Sequence, residues 1–128
     1  MRAVLLDTHA FLWWLANDPA LGPSAREIIA EPRNRVFVSA ATGWEIAVKQ
    51  QLGKLTAPAD IETVVEQKGF AKLPISFFHG QQAGALPLHH RDPFDRMLIA
   101  QAQAEGLELM TADPAFRAYA VRLIEAGA

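Results

Sequence analysis

Ala3-Val4-Leu5-Leu6-Asp7 decides the fold. Four apolar residues run without alternation and stop at a carboxylate. A strand with one wet face alternates polar and apolar positions; a short continuous apolar run suits a strand buried on both faces, as in a parallel sheet covered by helices. Asp7 then stands at the carboxyl end of that strand, where open α/β sheets bind ligands. Strands disfavour Asp and no local feature calls for one, so Asp7 is the first candidate site residue.

The rest of the chain repeats the alternation. Thr8 to Leu15 reads as a helix that is apolar nearly all round, with Phe11, Leu12, Trp13, Trp14 and Leu15, and so buried on more than one side. Ser24 and Glu27 have capping-box spacing at the start of a second helix, and Arg35 to Ser39 is a second strand. A third helix follows from Ala41 to Leu52, with Trp44, Val48 and Leu52 in one apolar stripe. A fourth helix runs from Pro58 to Gln67. Ala71 to Ile75 is a strand that Pro74 places at an edge, and Ser76 caps a helix reaching Ala85. Asp92-Pro93 opens a helix to Glu105, then comes a strand from Leu107 to Thr111. A short helix opened by Asp113-Pro114 and a last strand from Tyr119 to Leu123 finish the chain. Strands alternating with helices predict an α/β class with a parallel sheet. No linker, repeat or low-complexity segment interrupts the pattern, so residues 1–128 read as one domain.

Composition narrows the function classes. The chain has 128 residues, 51% of them hydrophobic, enough for a packed core. A net charge of −2 provides no global attraction to nucleic acid, so a polyanion would be met by a local basic patch or a metal. The absence of cysteine excludes disulfides and thiolate metal sites. No signal-peptide core and no apolar run near 18 residues is found, and a cytoplasmic protein is expected.

Four acids fall at strand-to-helix junctions: Asp7 after the first strand, Glu45 after the second, Asp95 in the first turn after Asp92-Pro93, and Asp113 after the Leu107–Thr111 strand. In a parallel sheet these junctions share one edge. Taken singly, the last three have structural explanations. Asp92 and Asp113 are helix caps followed by Pro, Asp95 favours the helix dipole, and Thr42 with Glu45 has capping-box spacing. As a set they are more specific. Carboxylates gathered within a few ångströms repel unless something positive sits among them, and oxygen donors suit a hard cation such as Mg²⁺ or Mn²⁺. Such sites serve phosphodiester chemistry by orienting the phosphate, activating water and neutralising charge.

These residues resemble the PIN-domain ribonucleases of the VapC type, the toxin half of bacterial toxin–antitoxin pairs. The resemblance rests on Leu5-Leu6-Asp7-Thr8-His9, Ser39-Ala40-Ala41-Thr42-Gly43-Trp44-Glu45-Ile46, Gly53-Lys54-Leu55, the block from Asp92 to Ala102, and Thr111-Ala112-Asp113. It implies a three-layer α/β/α sandwich around a central parallel sheet and Mg²⁺- or Mn²⁺-dependent cleavage of RNA. It also implies a homodimer and silencing by a cognate antitoxin. Carried over by position, the acidic cluster falls on Asp7, Glu45, Asp95 and Asp113. Asp7 and Asp95 are then expected to bind the metal directly, and Glu45 and Asp113 to complete its surroundings and assist deprotonation of water. Thr8 and Thr111 match hydroxyl positions that orient carboxylates or water, and Asp92 is a cap in a supporting role.

Lys49, Lys54 and Arg96 are expected near the rim of the acids as RNA-phosphate contacts; a solvated face with a Glu45–Lys49 pair is the plainer account of Lys49. His89-His90-Arg91 reads as an exposed loop, because adjacent imidazoles without a third ligand make a poor zinc site. His79 reads as helix surface and His9 as packed in its first helical turn. Trp13 and Trp14 suit either the core or a partner surface. A receiver-type phospho-acceptor domain is disfavoured by the lone acid at the first strand and the lack of a Lys beyond Lys72. A haloacid-dehalogenase-type phosphatase lacks its second acid, since His9 occupies that place. A PIN-fold binding module without catalysis would not need all four acids.

Overall fold

The computed structural model describes residues 1–128. Five strands form one parallel sheet: β1 (Ala3–Leu6), β2 (Arg35–Ser39), β3 (Ala71–Leu73), β4 (Glu108–Thr111) and β5 (Leu123–Glu125), in the order β3-β2-β1-β4-β5. Helices α1 (Thr8–Ala16), α2 (Pro23–Ala30), α3 (Ala40–Gln51), α4 (Ile61–Gln67), α5 (Phe77–Ala85) and α6 (Pro93–Glu105) flank it, with a 3₁₀ turn at Pro114–Ala118. No helix is long and apolar enough to cross a membrane.

β1 is the central strand, paired with β2 on one side and β4 on the other. Its apolar run is explained by what each face meets. Val4 and Leu6 join Phe11, Leu21, Val36, Val38 and Ile46 in the core of one layer, while Leu5 joins Leu98, Ile99, Leu109 and Phe116 in the other. All three β1 side chains are fully buried, each worth about 1.5–3 kcal/mol of apolar burial. The sheet is therefore covered on both sides, giving three layers. Strand order reverses between β1 and β4, so the crevice beyond their carboxyl ends is the topological switch point. Asp7 and Thr111 end these two strands, and the Asp7 amide donates to the Met110 carbonyl at 3.0 Å.

Several elements differ from expectation for local reasons. Gly22, not Ser24, caps α2, with Pro23 in the first turn. The Gly22 and Ser24 amides instead bond the Ala126 and Ala128 carbonyls, and a Cβ on Gly22 would lie 2.2 Å from Ala128. α4 begins at Ile61 because Asp60 caps it, accepting from the Thr63 amide. The last strand lies at Leu123–Glu125 rather than 119–123, since Tyr119 turns inward to pack and hydrogen-bond. The Trp44–Val48–Leu52 stripe of α3 faces outward, with Trp44 and Leu52 more than half exposed. α3 is packed instead through Ala41, Thr42, Glu45 and Ile46. His79 is no surface residue. It is buried at the start of α5, where its Nδ1 accepts the Ser76 amide at 2.9 Å and its Nε2 lies 3.0 Å from Glu105. Trp13 and Trp14 are half-buried against the core, while Phe77 and Phe78 stand exposed.

Candidate metal centre

Each acid is delivered by an element end. Asp7 follows β1 and also caps α1, accepting the Ala10 amide at 2.7 Å, so it does have a local role that the sequence did not announce. Thr111, at the end of β4, accepts the Asp113 amide at 3.0 Å, and its hydroxyl works against the burial that raises the Asp7 pKa. Asp113 caps the 3₁₀ turn through Oδ1.

Glu45 lies one turn into α3, and the expected Thr42–Glu45 capping box does not form. Ser39 caps the helix, and its hydroxyl also donates to Gln101 at 2.6 Å. That frees Thr42 and Glu45 to point into the structure. Glu45 Oε1 accepts the Thr8 hydroxyl at 2.6 Å, Thr8 and Thr42 hydroxyls are 3.3 Å apart, and Glu45 Oε2 accepts from Lys49 Nζ at 2.6 Å. Lys49 thus forms the helical i,i+4 pair and is committed to Glu45. Its ammonium pKa is raised, first by this hydrogen bond.

Asp95 sits at the third position of α6. Asp92 Oδ1 caps that helix, accepting the Phe94 and Asp95 amides at 2.8 and 3.1 Å. His90 Nε2 lies 2.9 Å from Asp95 Oδ2 and 3.7 Å from Asp113 Oδ2. His90, Asp95 and Asp113 form the tightest group, with one ligand atom from each within 4.8 Å of the others. The reading of residues 89–91 as a plain exposed loop missed this: His90 is half-buried among the acids. The available signal was its place two residues before the Asp92 cap.

The electrostatics describe a site short of positive charge. Burial raises the Asp7 carboxyl pKa, and the Glu45 charge pushes it the same way against the Thr111 and Ala10 hydrogen bonds. Asp95 is pushed up to about 6, first by burial and then by the Asp92 charge, with Glu45 adding and His90 opposing. Asp7 and Glu45 are buried; Asp95 and Asp113 are half-buried and face the opening. Carboxylate oxygens whose protons are held this strongly fit a hard divalent cation, which relieves both the burial penalty and the mutual repulsion.

Of the three rim cations, Lys54 is exposed after α3. Arg96 is not a rim residue. It is 8% exposed, and its guanidinium donates to the carbonyls of Ala83, Gly84, Leu86, Pro87 and His90. Its position in the first turns of α6 turns it inward, under the loop leading to Asp92, where backbone carbonyls occupy both terminal nitrogens.

A larger cavity of about 660 Å³ lies elsewhere, between α3, α4 and the β3 edge, and includes none of the four acids. Gly43, Ala47, Val65 and Leu73 contribute to its lining, and its two charged residues, Glu62 and Lys72, pair with each other at 2.7 Å.

Comparison with known proteins agrees with this architecture. Ribonuclease VapC22 of Mycobacterium tuberculosis is 26% identical over 122 residues, covering 93% of each chain. The DNA-bound VapBC structure from Salmonella typhimurium superposes with a TM-score of 0.71 at 20% identity, covering 97% of this chain and 98% of that one. VapBC2 from Rickettsia felis, bound to a promoter DNA fragment, gives 0.68 at 15% identity over 95% and 97%. The PIN domain family matches residues 4–122, and the chain belongs to that family.

Proposed function

We propose that this protein is a divalent-metal-dependent endoribonuclease of the VapC type, held in check by a cognate antitoxin. The observation that carries the reading is the closeness of Asp95 and Asp113, with Glu45 near enough for its charge to act on both Asp7 and Asp95, in a chain of the PIN family. Similarity to a protein named as a ribonuclease supports the activity. Similarity to toxin–antitoxin complexes supports the partner.

Asp7, Asp95 and Asp113 would hold the ion, with Glu45 completing its surroundings. When bound, Mg²⁺ or Mn²⁺ orients the scissile phosphate, activates water and neutralises the charge that develops at phosphorus. The chain itself does the rest. Thr8 and Lys49 fix both oxygens of Glu45, so its carboxylate is oriented before substrate arrives. Thr111 holds the Asp113 backbone, and the Ala10 amide holds the Asp7 carboxylate. Lys54, exposed beyond the end of α3, is the cation left to meet the RNA backbone, and Lys49 adds positive potential beside Glu45. Attack of water on phosphorus leaves a 5′-phosphate and a 3′-hydroxyl. The exposed Trp44, Val48 and Leu52 stripe and the Phe77-Phe78 pair provide apolar surface for a second copy or the antitoxin. With an RNA substrate the protein works in the cytoplasm.

The test is cleavage of a mixed RNA substrate by purified protein with Mn²⁺, with Mg²⁺ and with chelator, beside Asp7→Asn. Metal-dependent cutting that the folded variant lacks supports the proposal. Absence of cutting by the folded wild-type protein on several RNAs, after removal of any co-purified antitoxin, overturns it.

A further inference from the structure

We propose that His90 is a positioning residue of the acidic centre: its Nε2–H clamps one oxygen of Asp95, so that the other oxygen and Asp113 are presented to the cation. The inference rests on the metal-dependent reading above and adds to it a residue outside the four acids.

The backbone at His90 is placed by buried groups. Tyr119, 7% exposed, accepts the His90 amide at 2.8 Å and donates to the Pro87 carbonyl at 2.6 Å. Arg96 donates to the carbonyls of Pro87 and His90 at 3.0 and 3.1 Å. Loops of this kind are usually the mobile part of a domain; here a buried guanidinium and a buried phenol pin the segment from both sides. The ring is fixed as well, meeting the Phe116 ring edge-on at 5.9 Å.

The hydrogen-bond partners select the tautomer. His90 Nδ1 faces the Asp92 amide, an N–H donor, at 3.5 Å. Nδ1 is therefore the acceptor and the proton sits on Nε2. That N–H points at Asp95 Oδ2, 2.9 Å away, with Asp113 Oδ2 at 3.7 Å.

One consequence follows from chemistry. An Nε2 that carries hydrogen has no lone pair for a metal, so His90 acts through Asp95 rather than as a ligand. Asp95 is then held at both ends, its amide on Asp92 and its Oδ2 on His90. Hydrogen-bond partners of ligating carboxylates are worth about 10–100-fold in metal affinity.

The test uses the full chain, metal-free, above the imidazole titration range. Nitrogen-15 correlation spectra should show His90 protonated at Nε2 and bare at Nδ1; the reverse tautomer overturns the proposal. Mn²⁺ and Mg²⁺ affinities are then measured by calorimetry for wild type, His90→Ala, His90→Asn and His90→Gln, each checked for folding by thermal unfolding. The Gln amide reaches the place of Nε2, whereas the Asn amide reaches only that of Nδ1. We expect affinity for both ions to fall about 10–100-fold in His90→Ala and His90→Asn, and to return to within a few-fold of wild type in His90→Gln, with the Mn²⁺/Mg²⁺ preference unchanged. If His90→Ala fails to fold, the Asn–Gln pair decides. Unaltered affinity in His90→Ala, or in His90→Asn, overturns the positioning role. So does a loss that falls mainly on Mn²⁺ and that Gln does not rescue, which would make His90 a ligand. A folded wild-type protein that binds neither ion instead overturns the metal-dependent reading, and the task assigned to His90 falls with it.

Discussion

The Thr8 hydroxyl donates a 2.6 Å hydrogen bond to Glu45 Oε1 across 37 positions of sequence. Both side chains are buried, and the bond ties the first residue of α1 to the second turn of α3. Thr8→Val keeps the shape and removes the donor. A buried carboxylate oxygen left without its partner costs about 1–3 kcal/mol. The expected result is a lower denaturant midpoint together with weaker RNA cleavage. An unchanged midpoint would mean that Glu45 finds another donor.

Asp95 makes the metal-free protein sensitive to pH. Its carboxyl is pushed up to about 6 from 3.8, chiefly by burial. The folded state thus holds this proton more tightly than the unfolded chain. The associated stability is fully present below about pH 4 and is lost as pH rises through about 6. Asp7 shifts in the same direction. Asp95→Asn should therefore flatten the pH dependence and stabilise the metal-free protein at neutral pH by about 1–3 kcal/mol, while abolishing cleavage. Thermal unfolding from pH 4 to 8 measures it. A variant less stable than wild type at neutral pH would contradict the assignment.

A cation that binds the folded acids and not the unfolded chain raises the unfolding midpoint by mass action. At about 100 times its dissociation constant the gain is about 2.7 kcal/mol. Mn²⁺ or Mg²⁺ should raise the melting temperature, chelator should reverse the rise, and Asp95→Asn or Asp113→Asn should suppress it.

Arg96 and Lys54 separate structural from binding cations. Arg96→Lys cannot reproduce donation to five carbonyls, and a loss of about 3 kcal/mol or more is expected, seen as early unfolding. Lys54→Ala should leave stability within about 0.5 kcal/mol. It should also lower the salt dependence of RNA binding by about one phosphate contact. RNA affinity measured across salt concentrations with the catalytically silent Asp7→Asn protein distinguishes the two.

Much of the framework was legible without coordinates. The unbroken run Val4-Leu5-Leu6 suited a strand covered on both faces, and Val4 and Leu6 do enter one core layer while Leu5 enters the other. Asp92-Pro93 and Asp113-Pro114 marked helix starts because an Asp oxygen caps free amides and Pro needs none. These are local rules, so the sequence by itself determined the elements and set the four acids at their ends.

Other features were decided only when the chain closed on itself. Helical spacing identifies which residues share a face but not which face meets the core. Trp44, Val48 and Leu52 form a stripe by spacing, yet α3 is packed by Thr42, Glu45 and Ile46 because the Thr8 hydroxyl and Lys49 satisfy the acid there. Arg96 looked like a surface cation because its sequence neighbours do not reveal the ring of carbonyls that the end of α5 and the loop after it fold around it. His90 became part of the acidic centre through Tyr119, 29 positions away. In each case burial of a polar group is tolerable only when distant partners satisfy it, and the tertiary structure alone brings those partners together.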